Sequence, residues 1–216
     1  MSLILEKITI SLKPGKKLID GLSLNVAKGE IFTVMGPSGT GKSTLLDAVG
    51  GNLSENFDLN GEVTLNNQDL LVLPPEKRNI GILYQDAILF PHLSVGENLA
   101  FGLKDKKQGR TMRRVEIDKA LCQAGLDGFY DRDPATLSGG QRSRAALMRT
   151  LLSEPAALLL DEPFSKLDLD MREEIRTFVF SSIYKRNIPA LMVTHDPTDA
   201  AAAKGSSVSI QAIGTN

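Results

Sequence analysis

The chain is 216 residues long, 42% of its residues are hydrophobic, and its 25 basic residues nearly balance its 26 acidic residues. This composition supports a sizeable core and excludes a disordered chain, and a net charge of −1 gives no general attraction for a polyanion, so no nucleic acid is expected as a partner. No apolar run approaches the roughly 20 residues of a membrane-spanning helix, so we expect a protein that is soluble when isolated.

The first elements along the chain are predicted to be antiparallel strands. Apolar and polar residues alternate there, which is typical of strands with one buried face. A turn is predicted at Pro14–Gly15 between them. The apolar positions are Leu3, Leu5, Ile8, Ile10, Leu12, Leu22, Leu24 and Val26.

Four later runs are short and uniformly apolar, which indicates strands that are covered on both faces of a parallel sheet. They are Ile31–Met35, Ile80–Tyr84, Ala157–Leu160 and Ala190–Val193. Helical stretches lie between them, so the predicted fold class is α/β. We expect one domain over residues 1–216, with a core at about 1–86 and 155–216, an N-terminal antiparallel β-subdomain and an inserted α-helical subdomain at about 87–154. The single cysteine, Cys122, is expected to be a buried, inert thiol in a helix of this insert.

A glycine-rich segment follows the run Ile31–Met35 and precedes a predicted helix that Gly50–Gly51 can end. It matches G-x-x-x-x-G-K-[ST], the phosphate-binding P-loop, in which backbone N–H groups and a helix N-terminus surround a polyphosphate. The lysine is expected to bind the terminal phosphates and the serine to ligate Mg²⁺. The residues expected to bind nucleotide here are Gly36, Pro37, Ser38, Gly39, Thr40, Gly41, Lys42, Ser43 and Thr44. The motif predicts a P-loop NTPase but does not choose among kinases, GTPases, helicases and other classes.

Two acids end the apolar run Ala157–Leu160. Asp161 is expected to face Mg²⁺, because a carboxylate near a core is unfavourable without a cation. Glu162 is expected to orient and deprotonate the water that attacks the γ-phosphate.

The sequence Leu137-Ser-Gly-Gly-Gln141, ahead of a predicted helix at 142–152, resembles the signature of the ATP-binding-cassette (ABC) ATPases. The resemblance extends over about residues 3–205 and implies a RecA-like core with ATP and Mg²⁺ as cofactors. It further implies that Gln85 meets Mg²⁺ or the attacking water, that Asp168 shapes a dimer interface, and that His195 is a catalytic switch at the γ-phosphate. The signature residues Ser138, Gly139, Gly140 and Gln141 would form a second anion site. In the family arrangement, two copies pack head to tail and each ATP lies between the P-loop of one and the signature of the other.

The segment Pro75–Gly102 resembles importer subunits for thiamine, molybdate, sulfate, iron and polyamines. This implies transmembrane permease subunits and a separate substrate-binding protein as partners, with the chain held peripherally at the cytoplasmic side of the cell (inner) membrane. The apolar residues of the permease-docking loop, expected to be exposed, are Ile88, Leu89, Phe90 and Leu93. A motor of an exporter or lipoprotein-extraction complex stays open, because it shares every catalytic motif. A soluble, non-transport ABC ATPase is disfavoured, because the short interval between Gln85 and Leu137 leaves no room for a coiled coil.

One departure from the family concerns the base of the nucleotide. The family usually places an aromatic residue about two dozen positions before the P-loop, and the stretch Ser11–Lys17 contains none. We therefore expect weak discrimination between adenine and guanine.

Overall fold

The computed structural model describes residues 2–104 and 109–211. Contacts divide the chain into two compact units. The first unit contains the residues up to Ile82, Ala156–Glu162 and the residues from Ile183 on; the second unit contains Leu83–Pro155 and Pro163–Ser182. Residues 163–182 thus group with the second unit, whereas the limits predicted for the helical insert, about 87–154, stay a prediction.

The described strands are β1 (Ser2–Leu12), β2 (Lys16–Ala27), β3 (Ile31–Met35), β4 (Phe57–Leu65), β5 (Gln68–Asp69), β6 (Ile80–Leu83), β7 (Ala157–Asp161), β8 (Ala190–Thr194) and β9 (Ser207–Ser209). The α-helices are α1 (Lys42–Gly50), α2 (Val95–Gly102), α3 (Arg110–Gln123), α4 (Gly139–Leu152), α5 (Leu169–Arg186) and α6 (Pro197–Ala203). Short 3₁₀ helices cover Pro75–Lys77 and Pro134–Thr136.

One sheet of the first unit is antiparallel, in the order β2-β1-β4-β5. Leu5 pairs with Leu24 on one side and with Val63 on the other, and all three side chains are buried. The alternation seen in the sequence therefore places one face of this sheet in the core. The predicted N-terminal antiparallel region and its turn at Pro14–Gly15 are confirmed.

The second sheet has the order β6-β7-β8-β3-β9. β3 runs parallel to β8 and β9, and β7 runs parallel to β8. Every residue of β8 is buried, as are the first four of β3 and of β7, which explains why these runs do not alternate. The predicted α/β class with a parallel sheet is confirmed.

Helix ends follow local sequence signals. Gly51, in left-handed conformation (φ 91°), ends α1. Ser94 begins α2 with a capping box, in which Ser94 accepts from the Glu97 N–H and the Glu97 side chain accepts from the Ser94 N–H. Ser138 begins α4 in the same way. In the described part of the chain, no helix is both long and apolar enough to cross a membrane.

Two predictions about burial were wrong. Cys122 is exposed, because the buried face of α3 is formed by Ile117, Ala120 and Leu121, and Cys122 lies one position round the helix from it. Of the loop residues expected to be exposed, only Ile88 is; Leu89 is 8% exposed, and Phe90 and Leu93 are half-buried.

Candidate active site

The P-loop connects β3 to α1 through a backbone that only glycine adopts easily. Gly39 and Gly41 have φ values of 82° and 92°, in the left-handed region where a side chain is strained. Gly36 is restricted by space instead, because a Cβ there would lie 2.6 Å from the Ile210 carbonyl oxygen. Backbone conformation therefore requires glycine at positions 39 and 41, whereas lack of space for a side chain requires it at position 36.

The N-terminus of α1 has no cap of its own. Gly41 is the N-cap residue and makes no side-chain hydrogen bond to the helix, and the first turn contains no acidic residue. The first N–H groups of a helix have no partner within the helix and carry a partial positive charge. They are therefore suited to binding an anion such as a phosphate group.

Lys42, the first residue of α1, is nearly buried, with 4% exposure. Its Nζ donates to the carbonyl oxygens of Gly36, at 2.8 Å, and Pro37, at 2.9 Å. The same atom lies 3.3 Å from Glu162 Oε1. The P-loop lysine and the expected catalytic carboxylate are thus an ion pair within the first unit.

Asp161, the last residue of β7, meets the P-loop serine. Ser43 Oγ donates to Asp161 Oδ1 at 3.0 Å, although the two are 118 residues apart in sequence. Burial raises the pKa of Asp161, and the charge of Glu162 raises it further, whereas the Ser43 hydrogen bond and Lys42 lower it.

This donor set fits Mg²⁺. One carboxylate and one hydroxyl are hard oxygen ligands, and Mg²⁺ usually combines one or two such protein ligands with water and substrate phosphates. Among the residues that the structure describes, no cluster of three or more His, Cys, Asp or Glu side chains forms an all-protein cage. A cation beside Asp161 would also offset the effect of burial on its carboxylate.

Glu162 has a left-handed backbone, with φ 43°. Its N–H donates to the Val193 carbonyl oxygen at 3.0 Å, which fixes the main chain at the end of β7. Its Oε2 lies 2.9 Å from Nδ1 of His195, so Lys42 and His195 contact opposite oxygens of one carboxylate. Left-handed backbone at a non-glycine residue is unfavourable and often occurs at functional sites.

The contact between Glu162 and His195 follows from the sheet. β7 and β8 are parallel neighbours, with Asp161 beside Val193. Residues that follow neighbouring parallel strands lie at the same edge of the sheet. This contact was not predicted, although His195 closely follows the apolar run Ala190–Val193, as Glu162 closely follows the run Ala157–Leu160. The pairing of these two apolar strands was the signal that could have revealed it.

The other predicted site residues lie in the second unit. Gln85 is exposed and follows β6 by two residues. Asp168 is exposed, and its Oδ1 accepts from the Met171 N–H at 3.0 Å at the start of α5. Their expected roles stay predictions.

The signature forms the beginning of α4. Ser138 Oγ accepts from the Gln141 N–H at 3.3 Å, and the Gln141 side chain accepts from the Ser138 N–H at 3.0 Å. The helix was expected to begin at Arg142 but begins at Gly139, because Ser138 and Gln141 form a capping box. There is little space for a side chain at Gly140, because a Cβ there would lie 2.8 Å from Met171 Sδ.

Residues 19–165 match the family model described as ABC transporter. The chain belongs to this family. It is 49% identical over 189 residues, 88% of the chain and 87% of the relative, to the uncharacterized ABC transporter ATP-binding protein YnjD of Escherichia coli (strain K12). It is 43% identical over 185 residues to the Fe(3+) ions import ATP-binding protein FbpC of Fusobacterium nucleatum, where the match covers 86% of the chain and 49% of the relative.

Solved structures of ABC proteins resemble the chain over nearly its whole length. CbiO1 from Clostridium perfringens, part of the transporter complex cbiONQ, superposes with a TM-score of 0.84 at 27% identity, covering 98% of the chain and 86% of that protein. The ATP-binding cassette MJ0796, a dimer in a post-hydrolysis state with ADP and Pi, gives 0.79 at 28% identity, covering 97% of the chain and 96% of that cassette. The chain is thus an ABC ATPase, which binds and hydrolyses ATP.

Proposed function

We propose that this ABC ATPase is the motor of a bacterial solute importer, with Mg²⁺ and ATP as its cofactors. The observation that supports the motor most directly is the group of Lys42, Ser43, Asp161, Glu162 and His195 in the first unit. Relatives that are named importer subunits support the direction of transport, although the chain spans about half the length of several of them, FbpC among them.

In the proposed reaction, the P-loop amides and Lys42 bind the phosphates, and Ser43 and Asp161 would hold Mg²⁺. The metal ion would supply charge neutralisation for the phosphates. Glu162 orients the attacking water and accepts its proton, and His195 holds the Glu162 carboxylate and the γ-phosphate in position.

The second half of each proposed site comes from another copy of the chain. Ser138 and the first N–H groups of α4 would form a second anion-binding helix start. Unlike the start of α1, it has no lysine. We infer that two copies pack head to tail, so that the signature of one meets the ATP bound by the P-loop of the other. Gln85 and Asp168 would report the nucleotide state and shape the interface. Hydrolysis would then separate the two copies.

The proposed membrane partner is a pair of permease subunits. Ile88 and Phe101 of the second unit are 63% and 61% exposed. A groove of about 480 Å³ lies between Phe90, Phe101 and Arg149, among others. Exposed apolar residues beside such a groove are typical of a protein interface. The chain would be peripheral at the cytoplasmic side of the inner membrane, and a separate substrate-binding protein would complete the importer.

Co-purification from the native membrane tests this proposal. The tagged chain should retain a multi-span permease and a substrate-binding protein, which mass spectrometry would identify. The double variant Ile88→Asp/Phe101→Asp should lose both proteins while the isolated subunit keeps its ATP affinity. Val72→Asp is the matched control, because Val72 is 76% exposed but lies in the first unit. Retention of an exporter or lipoprotein-extraction complex would contradict the import proposal.

A further inference from the structure

The C-terminal end of the phosphate-binding helix α1 is held by a residue from outside the helix. The Asp47 carbonyl oxygen accepts from the N–H groups of Gly51, at 2.9 Å, and Asn52, at 2.8 Å. The next two carbonyl oxygens, of Ala48 and Val49, both accept from Nη1 of Arg78 at 2.8 Å. The last carbonyls of a helix have no partner within it, so Arg78 binds two carbonyl oxygens that α1 cannot satisfy alone.

The Arg78 side chain is buried, with 8% exposure. Its Nε donates to the Leu73 carbonyl oxygen at 3.0 Å. Burial lowers its pKa, and the charge of Asp69 opposes that effect. Burial of a guanidinium is unfavourable unless hydrogen bonds replace its hydration, and here main-chain carbonyl oxygens do so.

The space for this guanidinium depends on Gly51. A Cβ at Gly51 would lie 2.8 Å from Arg78 Nε and 2.9 Å from its Cζ. Gly51 also has φ 91°. The glycine therefore both ends α1 and allows the cation to reach the negative end of the helix.

α1 has nine residues and supplies no charged side chain of the sign that would stabilise its dipole at either end. Its first turn has no acidic residue, its last turn has no basic residue, and Gly41 provides no side-chain cap. A helix this short is marginal without tertiary contacts. A cation at the C-terminal end stabilises the helix and so keeps its N-terminal N–H groups in place.

We propose that Arg78 is a positioning residue for phosphate binding, acting through α1 from the end opposite to the P-loop. It fixes the last turn and neutralises the negative end of the helix dipole. The amides that precede and include Lys42 and Ser43 are thereby held in the orientation that binds phosphate. Arg78 makes no contact with the phosphate itself in this proposal.

The test compares Arg78→Met, Arg78→Lys and Lys77→Met in the full chain. Lys77 is the matched control, because it is an exposed cation next in sequence. Each variant is titrated with ATP plus Mg²⁺, and separately with inorganic pyrophosphate, at a temperature where circular dichroism shows it folded. Hydrogen exchange follows the amides of α1.

Arg78→Met should raise the dissociation constants of ATP and pyrophosphate about tenfold, Arg78→Lys about threefold, and Lys77→Met should change neither. Exchange should quicken in α1, and the loss of affinity should be larger than any fall in the hydrolysis rate at saturating ATP. Weaker binding of pyrophosphate assigns the loss of affinity to phosphate binding by the P-loop, because that probe has no base or ribose.

Three results would overturn the proposal. The first is a lower melting temperature for Arg78→Met with unchanged affinity for both probes, which would leave Arg78 a purely structural role. The second is weaker ATP binding with unchanged pyrophosphate binding. The third applies if Arg78→Met does not fold, so that Arg78→Lys decides alone. It is an affinity of Arg78→Lys for both probes equal to that of the unmodified chain.

Discussion

The side chain of Glu162 has few ways to move. Lys42 and His195 contact its two oxygens, and its main-chain N–H is bound to Val193. A base that is already oriented needs little rearrangement in the transition state. The proposed catalytic carboxylate is thus held in place by residues of the first unit.

Glu162→Gln should bind ATP but hydrolyse it at least about a hundredfold more slowly, because the amide cannot accept the proton of the attacking water. Phosphate release and nucleotide binding measure the two effects separately. Gel filtration with ATP should show a stable dimer. Glu173→Gln, at an exposed position of α5, should behave as the unmodified chain does; a Glu162→Gln chain that stays monomeric with ATP would contradict the proposed cycle.

Asp161→Asn should stabilise the chain without ligands while abolishing hydrolysis. Burial raises the pKa of Asp161, so the charged carboxylate destabilises the fold at pH above that pKa, and the effect is relieved as pH falls through it. We expect a melting temperature higher by about 2 °C at neutral pH without Mg²⁺, and a difference that shrinks in acid. Added Mg²⁺ and ATP should stabilise the unmodified chain more than the variant. A lower melting temperature for the variant would show that the Asp161 charge is well compensated.

GTP should support turnover at a rate within about tenfold of ATP. The turn between β1 and β2 has no aromatic residue to stack on a base, and Leu18, an aliphatic residue, is the side chain closest to a Cβ built at Gly41 of the P-loop. Steady-state rates with each nucleotide, at matched Mg²⁺, measure the ratio. A strict ATP preference would mean that another group reads the base.

At the scale of elements, one buried amide organises the proposed docking loop. Asn98 is fully buried in α2. Its Oδ1 accepts from the Phe90 N–H at 2.7 Å, and its Nδ2 donates to the carbonyl oxygens of Phe90, Leu93 and Ser94 at 3.1, 3.2 and 3.0 Å. The shape of residues 90–94 is therefore set from within the second unit.

Asn98→Ala should destabilise the fold by about 2 kcal/mol, because it leaves buried main-chain groups without partners. The melting temperature should fall by about 4–8 °C, and capture of the permease should weaken. ATP affinity should not change, because the P-loop belongs to the first unit. Asn52→Ala, at an exposed asparagine, is the control. A loss of ATP affinity in Asn98→Ala as large as its loss of permease capture would contradict this separation.

Elements that depend on local pattern were predictable from the sequence. The β3 run was predicted with its observed limits and the limits of β6, β7 and β8 were predicted within one residue, because short, mostly apolar runs stand out clearly from the polar residues around them. The start of α4 was predicted three residues too late, because a capping box allows a helix to begin with glycines in its first turn. The burial of Leu89 and the contacts of Arg78 could not be predicted, because each depends on which segments meet in three dimensions.

The candidate residues of one chain are divided between its two units. The P-loop, Asp161, Glu162 and His195 belong to the first unit, whereas the signature and Asp168 belong to the second. The related MJ0796 cassette is a dimer in its ADP and Pi state. A head-to-tail dimer would build each site from the first unit of one copy and the second unit of the other.

Mixing two inactive variants tests this arrangement. Lys42→Ala removes the lysine of the P-loop, and Ser138→Arg blocks the signature, so neither homodimer has an intact site. Mixed dimers would have one intact and one doubly altered site. The mixture should therefore regain about a quarter of the normal hydrolysis rate if subunits exchange freely. A mixture as inactive as its components would oppose composite sites, and Lys77→Met mixed with Ser138→Arg controls for dilution.

The register of β7 against β8 has a consequence for how the ATPase tolerates change. Glu162 and His195 each directly follow one of these strands. Asp161 pairs with Val193, so His195 lies one position beyond the residue level with Glu162, and main-chain hydrogen bonds keep the two strands about 4.8 Å apart. The spacing of the main chains that carry the proposed base and the histidine is thus set by the peptide backbone, which is common to all sequences. Surface loops can diverge widely among relatives that serve different cargoes while this spacing is kept.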